Sequence, residues 1–118
     1  MKASPFTELL DALRRQRGVT AALIVSEADG LVVDSHLSVG MKGDVVAALS
    51  ASLYRRARLA AQAAGYGETT VLQLEAEQGR ICAVGKHDLV LIAVTELGAN
   101  IGLVRMEMLK GLQGGALG

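Results

Sequence analysis

Apolar positions along this chain recur with two spacings, one helical and one alternating or continuous, and the changes between them mark out its elements. Phe6, Leu9, Leu10 and Leu13 repeat at helical spacing and share one face. Ser4 and Pro5 suit the start of that helix, Arg14, Arg15 and Arg17 suit its negative end, and Gly18 stops it. Two β-branched runs, Ala21 to Glu27 and Leu31 to Ser35, flank Ala28-Asp29-Gly30. An Asp-Gly pair tolerates positive φ, so the two runs read as a β-hairpin.

The longest pattern, Met41 to Ala64, is dense in alanine and predicts a helix from about Lys42. At 100° per residue, Val45, Val46, Leu49, Leu53, Ala57, Ala60 and Ala64 share a wide face expected to cover a sheet. A neighbouring strip of Ala48, Ser52, Leu59 and Ala63 is mostly small and admits a second helix backbone. Gly65 and Gly67 end the helix. Thr69 to Ala76 alternates, as a half-exposed strand does, with Thr70, Leu72 and Leu74 on one side and Val71, Gln73 and Glu75 on the other. Arg80 to Gly85 is the next strand, and Lys86-His87-Asp88 turns again. Leu89 to Val94 is continuously apolar and reads as a central strand buried on both faces. Leu97 to Lys110 reads as the last helix, with Ile101, Leu103, Val104, Met108 and Leu109 on its apolar side and Gly102 allowing close contact with the sheet. Gly111 to Gly118 is expected to fray.

The resulting order is α-β-β-α-β-β-β-α, an α+β fold with a mostly antiparallel sheet and helices on its faces. A length of 118 residues fits one domain, with a core over about residues 4–110 and a flexible tail over 111–118.

Composition removes several function classes. Twelve basic and twelve acidic residues leave no net charge, and aromatics are 3%, so neither an electrostatic footprint nor a stacking platform for nucleic acid is expected. No apolar run approaches the length that spans a bilayer, and the first residues lack a signal-peptide core, so a cytoplasmic protein without membrane insertion is expected. Cys82 is the single cysteine, expected as a small buried strand residue. His36 and His87 read as turn residues without a second ligand at metal spacing, and Asp29, Asp34 and Asp88 as turn or edge carboxylates.

Gly79 to Lys86 fails as a phosphate loop, because its spacer is too long, His87 stands where Ser or Thr is needed, and the segment reads as a strand. No acid, base or nucleophile is paired, so no enzymatic activity, cofactor or metal is expected. Arg55, Arg56 and Arg58 form the densest charge cluster. Arg55 and Arg58, with Tyr54, are placed on the side of the helix away from the sheet, and Arg56 near its apolar face.

An antiparallel sheet has two open edges, and open edges pair with other chains unless blocked. Thr69 to Ala76 has neither Pro nor Lys to block it. That edge beside a small-faced helix suits a two-fold homodimer, with strand on strand and helix on helix. The expected interface is Ala48, Ser52, Leu59 and Ala63 with Thr69, Val71, Gln73 and Glu75.

Gly18-Val19, the Asp29-Gly30 hairpin, the alanine-rich second helix and the Asn100-x-Gly102-x-x-Arg105 run after an apolar strand together resemble the Roadblock/dynein light chain family, from about Thr7 to Leu109. The resemblance implies a five-stranded antiparallel sheet between one long helix and two shorter ones. It also implies dimerisation through the second helix and third strand. Members of the MglB type bind a small Ras-like GTPase through the second helix and order its catalytic groups without supplying an arginine finger. Carried onto this chain, that surface is Tyr54, Arg55, Arg58 and Gln62. The expected role is a non-enzymatic regulator or scaffold of such a GTPase. The alternatives are a passive assembly platform and, more remotely, a small-ligand sensor, which would need a pocket with convergent polar groups.

Overall fold

A computed structural model describes residues 5–114, with side chains as far as Leu112. The elements are α1 (Thr7–Arg15), β1 (Val19–Ser26), β2 (Val32–Leu37), α2 (Gly43–Ala63), β3 (Leu72–Ala76), β4 (Gly79–Lys86), β5 (Leu89–Glu96) and α3 (Ile101–Gly114). This is the expected α+β order. The expected cap at Ser4 lies outside the described residues.

The five strands form one antiparallel sheet in the order β2-β1-β5-β4-β3. Three of the four pairings are hairpins between consecutive strands. The fourth joins β1 to β5 across the middle, with Ala22 opposite Ala93 and Ile24 opposite Leu91. At the β1–β2 turn Gly30 takes φ +71°, and Asp29 Oδ1 accepts the Leu31 N–H at 3.1 Å. A side-chain acceptor two residues back and a left-handed glycine are what make Asp-Gly a turn. His87 takes φ +58° in the β4–β5 turn.

The sheet divides two cores. On one face α1 and α3 cover Ala22, Ile24, Cys82, Val84, Leu91 and Ala93, using Phe6, Leu10, Leu13, Val104 and Met108. On the other face α2 covers Ala21, Leu23, Val25, Ala83, Val90 and Ile92. β5 supplies both cores, as its continuous apolar run requires. Cys82 is fully buried, and desolvation pushes its thiol pKa up.

Four expectations change. The strand predicted from Thr69 begins at Leu72, so Thr69 and Val71 precede it. The last helix starts later and runs through Gly111, which was assigned to a frayed tail. A Cβ at Gly111 would collide with the Leu9 side chain, so this glycine lets α3 lie against α1. At Gly102, where close approach was expected, a Cβ would meet only Asn100 Oδ1 at 3.4 Å. His36 lies within β2 rather than past it, and its Nδ1 is 2.8 Å from Asp11 Oδ1 on α1.

Candidate interaction surface

The two sides of α2 are unlike. Its buried side is Gly43, Ala47, Ser50, Ala51 and Tyr54. Small residues there let the helix backbone settle close to the sheet. A Cβ at Gly43 would come within 2.6 Å of Leu37 Cδ1, and one at Gly85 of β4 within 2.5 Å of the Tyr54 ring. The Tyr54 ring therefore lies over Gly85, and its hydroxyl donates to Thr69 O at 3.2 Å. Burial raises the phenol pKa, so the group stays a neutral donor.

This corrects two expectations. Tyr54 is 2% exposed and belongs to the core, not to the outer side. The face predicted to cover the sheet instead points largely away from it, with Val45 53%, Leu49 62% and Leu53 44% exposed. Periodicity alone reports that one side of a helix is more apolar. It does not report that the sheet face is already filled by Leu23, Val25, Val90 and Ile92, leaving room mainly for small residues beside Tyr54.

Arg55 and Arg58 also turn toward the body of the protein. Arg58 makes a two-pronged contact with Glu27 at the end of β1, Nη2 to Oε1 at 2.6 Å and Nε to Oε2 at 3.1 Å. Arg55 Nη1 donates to the carbonyls of Glu27 and Ala28 at 3.1 and 3.3 Å. The two arginines tether α2 to the β1–β2 turn. Glu27, the acceptor for both, was missed by the sequence reading, since nothing local links it to a helix some 30 positions away. Arg56 remains on the outer face among the apolar residues and is exposed. Gln62 is exposed and donates to Glu68 Oε2 at 2.9 Å.

Of the residues assigned to a self-association surface, Ala48, Leu59 and Ala63 are exposed on α2 and Ser52 is half-buried there. Gln73 and Glu75 lie on β3, an edge of the sheet. Their side chains point to the α3 side and are engaged: Gln73 Oε1 accepts from Arg105 at 2.8 Å, and Gln73 Nε2 donates to Glu75 Oε2 at 2.8 Å. Arg80 completes the group with 2.8 Å to Glu75 Oε1. Hydrogen bonds from Gln73 and then Arg80 lower the Glu75 pKa. On the α2 side, Leu72, Ile81 and Val94 are only half-buried, so an apolar strip of sheet lies beside the apolar helix face. This half-buried strip shares the sheet face that α2 covers, and β3 is the edge strand of that sheet.

Among the described residues no group of three or more His, Cys, Asp or Glu could hold a metal, and no helix is long and apolar enough to cross a membrane. The outer face of α2 gathers exposed apolar side chains around the exposed Arg56.

A Roadblock/LC7 domain model matches residues 5–96. An uncharacterized protein of Methanocaldococcus jannaschii is 27% identical over 96 residues, 81% of this chain and 83% of the relative. A Roadblock/LC7 domain from Streptomyces avermitilis superposes with a TM-score of 0.79 at 23% identity, covering 90% of this chain and 92% of that one. The gliding protein MglB of Thermus thermophilus gives a TM-score of 0.82 at 18% identity over 99% and 90% of the two chains, a likeness of fold. With the family model spanning most of its length and the same three-helix, five-strand architecture, the chain belongs to the Roadblock/LC7 domain family.

Proposed function

We propose that this protein is a homodimeric, non-enzymatic regulator or scaffold for a small Ras-like GTPase, acting in the cytoplasm. The observation that carries the reading is the inverted helix, with the larger aliphatic residues of α2 outside and the small ones against the sheet. Apolar side chains on a contiguous surface mark an interaction site. The neighbouring β3 edge gives that site a strand to pair, so a two-fold copy buries helix and edge together. Support for self-association comes from the fold neighbours, one of which is an MglB described in a tetrameric arrangement. Support for a GTPase comes from the family and from the MglB likeness.

In this reading the paired α2 helices form the platform on which the GTPase sits, with Gln62 at its rim. Tyr54 is outside that contact because it is buried, and Arg55 and Arg58 reach it only by releasing the β1–β2 turn. Arg56 sits in the helix–helix contact. No arginine of α2 is then free to act as a finger, and any stimulated hydrolysis comes from ordering the GTPase's own groups.

The test has two parts. Light scattering at micromolar concentration is expected to give twice the 12.3 kDa chain mass, and a monomer mass overturns the dimer. Pulldown with a Ras-like GTPase encoded beside this chain, loaded with GTP or GDP, is expected to retain it in at least one state. Absence in both overturns the partner. The tethering of Arg55 and Arg58 favours one second reading, a passive platform, and binding with an unchanged hydrolysis rate would establish it.

A further inference from the structure

We propose that the free edge of β2 receives an extended segment of a partner protein as an added strand, and that this segment carries an aliphatic residue next to a basic one. The surface is separate from α2 and lies at the far end of the sheet from β3, so pairing at β3 leaves it open.

The edge offers backbone groups. Ser38 N–H bonds to Thr20 O at 3.0 Å, and the ladder continues with Ala22 opposite His36 and Ile24 opposite Asp34. Hydrogen-bonded pairs alternate in an antiparallel ladder, so His36 and Asp34 turn their N–H and C=O toward β1 while Ser35 and Leu37 turn theirs outward. The Ser35 N–H is held instead by the neighbouring carboxylate, Asp34 Oδ1 at 2.8 Å. A peptide carbonyl accepting that N–H would take the carboxylate's place and leave it to pair with a cation on the incoming strand. β2 has neither Pro nor Lys to block such pairing.

A cavity adjoins this strand on each face of the sheet. Opposed residues of an antiparallel pair share a face, so Asp34 and His36 lie on the α1 side with Ile24 and Ala22, and Leu37 lies on the α2 side with Ala21. On the α1 side a cavity of about 240 Å³ is lined by Leu10, Asp11, Asp34 and His36 among others, with no Lys or Arg. His36 Nδ1 is 2.8 Å from Asp11 Oδ1, which leaves that carboxylate a second oxygen. On the α2 side a cavity of about 430 Å³ is lined by Leu37, Met41 and Val45, with Lys42 and Asp44 offsetting each other's charge.

A strand laid along β2 sends successive side chains to opposite faces. The residue opposite Leu37 meets the aliphatic cavity, and its neighbour opposite His36 meets the carboxylates. Main-chain pairing then gives affinity, and the two cavities read alternate side chains. Charge selects the occupant. A second copy of β2 brings neither lysine nor arginine on the strand and adds its own Asp11 and Asp34 to those already there. A lysine or arginine from another protein is drawn to the two carboxylates.

The experiment selects a displayed library of random peptides, about ten residues long, on the full chain, with the Ser35→Pro variant as counter-selection. Proline is tolerated on the outward side of an edge strand, so the circular dichroism of the variant is expected to match the parent. Peptides retained by the parent alone are expected to carry an aliphatic residue beside a lysine or arginine. In fluorescence anisotropy with one such peptide, Ser35→Pro is expected to weaken binding at least tenfold, and Asp11→Asn joined to Asp34→Asn about fivefold. A second measurement leaves the protein unaltered: N-methylating peptide amides at alternate residues is expected to abolish binding in one register and spare it in the other. No enrichment on the parent over Ser35→Pro, enriched peptides without a basic residue, or N-methylation effects without a period of two overturn the proposal. A sedimentation coefficient that falls in Ser35→Pro means that a second copy occupies the edge, and also overturns it.

Discussion

The inner and outer faces of α2 invert the usual order of helix packing. The inner face carries Gly43, Ala47, Ser50 and Ala51 with a single large residue, Tyr54; the outer face carries Val45, Leu49, Leu53 and Leu59. By hydrophobicity alone the outer face belongs in the core. The difference shows that packing geometry assigned the inner face. A helix lying on a sheet already filled by Leu23, Val25, Val90 and Ile92 needs small residues beneath it, and Tyr54 extends across Gly85 to hold the segment leading to β3. The larger aliphatic residues are then left exposed on the outer side.

Substitutions on the two faces should therefore separate stability from association. The largest effect is expected at Tyr54→Ala. It empties a fully packed site and leaves the Thr69 carbonyl without its donor, at a cost of about 3–5 kcal/mol. Chemical denaturation measures it, and Tyr54→Phe should cost only about 1 kcal/mol, for the hydrogen bond alone. If Tyr54→Ala unfolds at the parent's denaturant midpoint, the inner face is not the packed one.

Leu49→Asp tests the outer face. The side chain is 62% exposed, so the isolated fold should change by no more than about 0.5 kcal/mol. Self-association should fall by at least tenfold in light scattering across a dilution series. A variant that unfolds while still dimerising would reverse the assignment of the two faces.

The smallest effect is expected on the sheet face away from α2, at Glu75 of β3. Its folded pKa lies below the ordinary 4.5, so its stabilisation is present above that value and is lost as pH falls through the folded value. Glu75→Gln should lower the denaturation midpoint slightly at pH 7, and the difference from the parent should vanish once the pH falls below the folded value. A difference that persisted in acid would mean that Glu75 acts through packing rather than charge.

Much of the architecture was legible in local pattern. The hairpin at Asp29-Gly30, the alternation at Leu72–Glu75 and the unbroken apolar run at Val90–Ala93 each follow from neighbours in sequence, and so does the burial of Cys82. The candidate surface was legible only in part. The alanine-rich helix and the β3 edge could be found, because an apolar strip and an unguarded strand are local features. The roles of Tyr54, Arg55 and Arg58 could not, because each is set by a residue distant in sequence: Gly85 beneath the ring, and Glu27 and Ala28 beside the guanidiniums.

The sequence by itself determined the order of elements, the turns between them and the presence of more apolar surface on α2 than one contact needs, since these follow from side-chain spacing and backbone preference. Only the tertiary structure decided which side of α2 faces the sheet, that β1 and β5 pair at its centre, and that two arginines are spent on the β1–β2 turn. Those outcomes depend on the volume and charge available between distant segments once they meet, and a single helix or strand carries no record of its neighbour's shape.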